Sequence, residues 1–162
     1  MPRRRVRGRW HDVRMTRYWL GVVQRAHVLL GVEWGIAQTN HGKRAGVQRM
    51  QPGDGFVYYS SKTSHPDGDP LREFTAIGRV ADGDVYQAES DPNLMAGFRP
   101  WRRAVAYSSH ARPAPITPLL PVLDLTRGNA NWGFQLRRGH LELTKHDFDV
   151  IAREMGADEL VG

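Results

Sequence analysis

The sequence predicts an α+β fold in which a sheet of five to six short strands curls toward a barrel and is flanked by short helices. The 162-residue chain has the length of one domain. Short β-branched and aromatic segments cluster in its middle, whereas helical patterns lie near both ends. Turns rich in Gly and Pro separate these segments, which is typical of short strands and helices packed around one core.

The first half of the body begins with an aromatic, β-branched strand at 18–23, which is predicted to be buried on both faces. A short helix is predicted at 24–33, followed by a polar loop at 35–45. A further turn of helix within 43–50 would direct Val47 and Met50 inward, because they are three residues apart.

Three more strands are predicted after the Pro-Gly-Asp-Gly turn that begins at Pro52. They occupy 56–60, 74–80 and 101–107. The segment 85–88 follows the second of them after a tight turn, so we expect it to form a hairpin with that strand.

The C-terminal part contains a segment with four prolines at 112–121, which cannot form a central strand. A loop leads into the segment 134–143, a predicted strand, and a helix at 144–155 closes the domain. Thr144 and Asp147 approximate a capping box for this helix. Its apolar face carries Phe148, Ile151, Ala152 and Met155.

Positive charge is concentrated at the N-terminus. Residues 1–17 contain seven arginines and one acid, whereas the remaining chain has sixteen basic and sixteen acidic residues. We therefore interpret residues 1–15 as a basic, disordered arm and 16–162 as the folded domain. Such an arm attracts phosphate. Translation from Met15 is the alternative, and it would remove the arm.

Several classes of function are disfavoured by composition. The chain has no cysteine, which excludes disulfides, zinc–thiolate sites and cysteine nucleophiles. No apolar run reaches the length of about 18 residues that spans a membrane, and no apolar segment follows Arg3-Arg4-Arg5 as a signal peptide would require. We expect a cytoplasmic protein.

No catalytic, metal or cofactor motif is complete. The seven histidines lack the i, i+4 spacing of a helical zinc site. Gly42-Lys43 resembles part of a phosphate-binding loop, but Arg44 stands where Ser or Thr is needed. The sequence therefore predicts neither metal nor cofactor and no enzymatic reaction.

Aromatic residues beside polar ones are the stronger signal. Trp19 lies in the first strand, Tyr58-Tyr59-Ser60 in the second, and Trp132 in a loop between Asn131 and Gly133. Such rings stack on a planar base while neighbouring polar groups bind its edge. Packing in the core is the alternative for each ring, and it explains Trp132 least well. Predicted phosphate contacts are Lys43, Arg44, Arg102, Arg103, Arg137 and Arg138.

An ordered series of segments resembles the EVE domain family. Tyr18-Trp19-Leu20-Gly21 is similar to the opening EVE strand. Asn40-His41-Gly42-Lys43 follows, then Gly53-Asp54, the strand ending at Ser60, and the Ile-Gly pair at 77–78. The segment from Asn131 to the helix containing Asp147-Phe148 resembles a short bacterial branch of the family. The resemblance covers about Tyr18 to Met155.

The resemblance implies a PUA-like fold, a curved sheet or pseudo-barrel, and binding of a modified nucleobase in DNA or RNA. Trp19, Asn40, Tyr58 and Ser60 align with positions that form or support the base pocket. His41 and Tyr59, also predicted ligand-binding residues, depart from better-known EVE sequences. Fold alone does not establish function.

Two other functions stay open. One is a hydrolase of RNA or of a small amide, on a scaffold similar to the related ASCH domains, with Lys43 and either Glu73 or Thr75 in the pocket. The other is a small-ligand-binding protein without a nucleic-acid role. A basic cleft beside an aromatic pocket would favour nucleic-acid binding over both.

Overall fold

The computed structural model describes residues 15–89 and 97–162. Its elements, in chain order, are β1 (Tyr18–Val22), α1 (Arg25–Trp34), β2 (Ile36–Ala37), α2 (Arg44–Arg49), β3 (Gly55–Lys62), β4 (Pro70–Val80), β5 (Tyr86–Gln87), β6 (Trp101–Tyr107), β7 (Ala114–Pro115), β8 (His140–Leu143) and α3 (Lys145–Glu154). Single-turn 3₁₀ segments lie at 40–42, 117–119 and 158–160, and a longer one at 132–138. The predicted arm, apart from Met15, and most of the predicted loop at 90–97 lie outside the described residues.

A curved mixed sheet forms the centre of the α+β fold, as predicted. Its strands follow the order β2-β6-β4-β3-β1-β8, with β5 pairing with β6 and β7 with β4. β1 runs parallel to β3 and antiparallel to β8. The β3–β4 pairing shifts register between Tyr58 and Tyr59 and again beyond Ser60. Such irregularities increase local twist and bend a sheet.

Two apolar clusters pack on opposite faces of this sheet, because successive strand residues alternate between faces. Leu20 and Tyr59 belong to the cluster that α3 covers, whereas Trp19 and Tyr58 belong to the cluster that α1 and α2 cover. In α3 the four predicted apolar residues are all buried, and Thr144 accepts a hydrogen bond from the Asp147 amide, as predicted.

Three local expectations were wrong. The segment around 85–88 does not pair with β4; β5 pairs with β6 instead. The segment 134–143 is divided, because Gly139 adopts a left-handed conformation between the 3₁₀ segment and β8. The predicted loop at 35–45 contains β2, a strand of two residues that is too short to leave a periodic signal.

Among the described residues, no helix is both long and apolar enough to cross a membrane.

Candidate nucleic-acid interface

Trp19 lies inside the core and not at a surface. Its side chain is completely buried, and its indole Nε1 donates a hydrogen bond to Asp54 Oδ2 over 3.0 Å. The His140 ring stacks on it with 5.2 Å between centroids. The guanidinium carbons of Arg17 and Arg49 lie 4.4 and 4.9 Å from its ring centroid. Trp19 is therefore a core residue, and in this conformation its ring is covered by His140, Arg17 and Arg49.

Two buried polar side chains, Thr39 and His140, lie close together beside Gly46 of α2. A Cβ at position 46 would lie 2.9 Å from both Thr39 Oγ1 and His140 Cγ, so only glycine fits there. Within the described residues, Thr39 Oγ1 and His140 Nε2 are buried without a hydrogen-bond partner. Burial, and then the charge of Arg49, lowers the pKa of His140 to about 4, so the imidazole is neutral at physiological pH.

Tyr58 and Tyr59 point to opposite faces of β3, so the two rings cannot line one pocket. The Tyr58 hydroxyl accepts a hydrogen bond from the Gln38 amide and donates one to the Gln38 carbonyl, at 2.9 and 3.1 Å. Burial raises the pKa of each tyrosine to about 12. Tyr59 packs edge-on against Phe74, on the α3 side.

Ser60 is also buried. Its hydroxyl donates to the Val23 carbonyl over 2.6 Å and lies 2.9 Å from the Thr75 hydroxyl. These contacts tie β3 to the end of β1 and to the irregular part of β4. Like Trp19 and the two tyrosines, Ser60 is buried and stabilises the sheet, and in this conformation it is not accessible to a ligand.

Asn40, His41 and Gly42 form a left-handed turn that presents His41 to solvent. Their φ angles are 49°, 56° and 78°. Non-glycine residues seldom adopt this region, and for two in succession the surrounding structure has to compensate for the strain. Asn40 and His41, both predicted ligand-binding residues, therefore lie in strained backbone.

Close packing on both sides holds this turn in place. A Cβ at Gly42 would lie 2.5 Å from Pro100 Cβ and 3.2 Å from the Phe98 ring. On the other side, the Asn40 side chain fills the space above Gly139, where a Cβ would lie 1.9 Å from its Oδ1. The turn is thus fixed between the segment preceding β6 and the residue preceding β8.

A polar groove of about 530 Å³ begins two residues after the turn. Its lining residues come from α2, the turn after it, the turn before β5, and β6: Arg44, Gln48, Gln51, Pro52, Gly83, Asp84, Val85 and Arg103. The Arg44 guanidinium carbon lies 4.6 Å from the centroid of the half-buried Trp101 ring. Arg103 is buried at its base and donates to the Gly83 carbonyl over 2.7 Å. The structure thus brings together two of the predicted phosphate-binding arginines.

The other predicted basic residues lie in three further places. Arg102 donates from Nε to Gln38 Oε1 over 3.1 Å, and its guanidinium carbon lies 5.1 Å from the Trp34 centroid. Lys43 is exposed and directly precedes α2. Arg137 and Arg138 are exposed at the end of the 3₁₀ segment before β8.

In the 3₁₀ segment 132–138, the exposed ring is Phe134 and not the predicted Trp132. Trp132 is half-buried and packs against the cluster below α3. Phe134 is 68% exposed, and the Arg137 guanidinium carbon lies 5.3 Å from its centroid. Sequence reasoning missed Phe134 because it assigned this position to the segment leading to β8. A helical spacing of three residues between Phe134 and Arg137 would have suggested the pair.

One group of possible metal ligands lies in the described part of the chain: Asp124, His146 and Asp147. Both Asp147 carboxylate oxygens already accept hydrogen bonds, from the amides of Asp124 and Leu125 at 2.7 and 2.9 Å. Asp124 Oδ2 accepts from the Thr144 hydroxyl over 2.8 Å. These bonds join the loop before the 3₁₀ segment to the start of α3 and explain the cluster as structural.

Comparison with known proteins identifies the family. The EVE domain profile matches residues 17–154, nearly the whole described body. The chain belongs to the EVE domain family. This EVE domain is 52% identical over 137 residues to a UPF0310 protein of Renibacterium salmoninarum, covering 85% of this chain and 94% of the relative. It is 40% identical over 143 residues to the UPF0310 protein YdcG of Bacillus subtilis, covering 88% and 94%.

A solved structure from Pseudomonas syringae, of protein PSPTO5229, is similar at a TM-score of 0.40 with 15% identity, covering 84% of this chain and 97% of that one. The family assignment rests on the profile and on the sequence relatives. It confirms the resemblance found in the sequence and agrees with the PUA-like class expected for the curved sheet.

Proposed function

We propose that this EVE domain is a binding module for nucleic acid that recognises a modified base at the left-handed turn and holds phosphate in the adjacent groove. The observation that carries the proposal is the continuity of the two features along one segment. Pro100 packs on Gly42, Trp101 lies beneath Arg44, and Arg103 lines the groove. A ligand bound at the turn would therefore lie next to the groove.

The chemistry of each part suits a different portion of a nucleotide. Arg44 offers forked donors of the kind that bind phosphate oxygens, and Arg103 adds its positive charge at the base of the groove. Gln48 and Gln51 add amide donors on the same side of the groove. Asn40 and His41 offer an amide and an imidazole, which recognise base edges. The half-buried Trp101 ring lies between the two parts.

A modified base is the favoured ligand for two reasons. The EVE sequence resembles readers of modified bases, and close packing around Gly42 and Gly139 holds the turn in one conformation. Rigid placement of polar groups allows a site to distinguish ligands whose edges differ in hydrogen-bonding groups. Binding without catalysis is part of the proposal. Tyr58, Tyr59 and His140, whose pKa values are strongly shifted, belong to strands and pack in the core on the two faces of the sheet.

Fluorescence anisotropy with short DNA and RNA oligonucleotides, plain or carrying one modified base, tests this function. We expect the wild-type protein to prefer one modified base. Arg44→Glu should weaken binding to all oligonucleotides by about tenfold or more, because a phosphate contact carries no sequence information. His41→Ala should instead reduce the preference for the modified base.

Arg153→Glu is the matched control. This exposed arginine on α3 undergoes the same change of charge on an element that does not border the groove. Equal losses in Arg44→Glu and Arg153→Glu would show that only overall charge matters. Binding that ignores every modification would contradict base recognition.

A further inference from the structure

A second concave surface lies on the 3₁₀ segment before β8, outside the groove. It encloses about 810 Å³ and is lined by Asn129, Asn131, Gly133, Phe134, Gln135 and Arg137. None of these residues lines the arginine groove. Its composition combines one aromatic ring, one guanidinium and three side-chain amides.

The aromatic ring is held outward by its neighbours. Trp132 anchors the segment in the core, and Leu136 is buried on the same side. Phe134 lies between them and projects to solvent, with 68% of its surface exposed. A large ring is costly to expose to water, and Arg137 covers only one side of it at 5.3 Å.

The surface next to this ring is open. A Cβ at the neighbouring Gly133 would meet no atom within 4 Å, and the φ of Gly133 lies outside the left-handed region. Together with the 68% exposure of Phe134, this leaves room for a planar group to approach the ring. Asn131 and Gln135 flank the opening with amide groups that both donate and accept hydrogen bonds.

This surface is continuous with the left-handed turn. The 3₁₀ segment ends at Arg138, and the next residue, Gly139, is the one on which the Asn40 side chain packs. Arg138 is exposed between the two features. A strand that places one nucleotide at Asn40 and His41 would continue along Gly139 and Arg138 toward Phe134.

We propose that the ligand is single-stranded at this face and that an unpaired base near the recognised one stacks on Phe134 beneath Arg137. This inference rests on the proposed function and adds the strand state and a second contact. A base within a duplex is already stacked on its neighbours, whereas an unpaired base exposes a π face that any aromatic ring can accept. The amides of Asn131 and Gln135 lie where they would meet its edge.

Two substitutions test the stacking contact in opposite ways. Phe134→Ala removes the ring, and Gly133→Leu fills the open space while leaving the ring in place. Each should weaken binding of a single-stranded oligonucleotide by about 5- to 150-fold, the usual effect of losing one stacked base. Phe134→Trp should retain affinity. Leu29→Ala is the control, because it truncates an apolar side chain of similar exposure on α1.

Oligonucleotides with 2-aminopurine at successive positions report stacking directly, since stacking quenches its fluorescence. We expect one position to be quenched by the wild type and by Phe134→Trp but not by Phe134→Ala. The same oligonucleotide in a duplex should bind equally to the wild type and to Phe134→Ala. Thermal melting of each variant shows that it is folded.

The outcomes separate this inference from the proposed function. If the wild type prefers one modified base and Arg44→Glu weakens binding, while Phe134→Ala and Gly133→Leu bind as the wild type does, the proposed function stands and the stacking site is wrong. A preference for duplex over single strand would also overturn it. If the wild-type protein binds neither DNA nor RNA, both proposals fail.

Discussion

At the residue scale, the surroundings of His140 show how the core accommodates a titratable group. The imidazole is 5% exposed, stacked on Trp19 and close to Arg49. Its pKa is lowered from 6.5 to about 4, first by burial and then by the positive charge of Arg49. The neutral ring is therefore the form that the folded state favours.

Stability should consequently depend on pH between these two values. Because the unfolded chain binds the proton more tightly, the free energy of unfolding should fall as pH decreases from 6.5 toward 4. The full loss corresponds to about 3 kcal/mol. Urea denaturation at several pH values measures it.

His140→Gln is the comparison variant, because glutamine retains polarity but does not titrate. We expect its stability to change less over the same pH interval than that of the wild type. Equal pH dependence in the two proteins would mean that other groups, and not His140, account for the acid sensitivity. An NMR titration of the wild type gives the pKa of this ring independently.

The same scale shows what sequence could predict of the site. Trp19, Tyr58, Tyr59 and Ser60 were predicted to bind a ligand, yet all four are buried, and burial on both faces was predicted only for the strand that carries Trp19. Strand alternation alone does not indicate that both faces of β3 are covered, so burial could not be decided locally. Arg44 and Arg103 line the same groove because α2 packs beside β6, a contact between segments that are distant in sequence.

At the scale of elements, the segments with strong periodicity were predicted well. The strand at 101–107 and the helix closing the domain agree with the structure to within a residue. The errors lie where tertiary contacts decide the conformation. β5 pairs with the following strand β6 and not with the preceding strand β4, and Gly139, over which Asn40 packs, separates the 3₁₀ segment from β8.

We expect the strained backbone of the left-handed turn to lower stability while it holds His41 in position for a ligand. His41→Gly removes the strain of a side chain at a φ of 56°, and it should raise the free energy of unfolding by about 0.5 to 1 kcal/mol. The same change should reduce discrimination between plain and modified oligonucleotides, because the imidazole is lost. Chemical denaturation and anisotropy measure the two effects.

Arg72→Gly is the matched control for this turn, since Arg72 has a φ of 55° in β4. It should gain stability for the same reason while retaining base discrimination. A loss of stability in His41→Gly would show that the imidazole makes favourable contacts that exceed the backbone strain. Loss of discrimination in both variants would locate recognition elsewhere.

At the scale of the whole molecule, charge is divided unevenly. The seventeen N-terminal residues hold seven arginines, whereas the rest of the chain is balanced between acids and bases. In the body, the relevant arginines are placed locally, at the groove and on the 3₁₀ segment. Long-range attraction to phosphate and specific contact at the site are therefore expected to reside in different parts of the chain.

Removal of residues 1–14 separates these two contributions. The deleted segment carries six arginines, so the slope of log K against log salt should become shallower by up to about 4 to 5 if all of them contact phosphate. The melting temperature should stay unchanged, because the contacts that attach this end to the body, from Arg17 to Asp54 and Glu142, are retained. Preference for a modified base should also persist. A lower melting temperature would show that the segment is part of the domain, and a lost preference would place recognition in the arm, contrary to the geometry of the turn and groove.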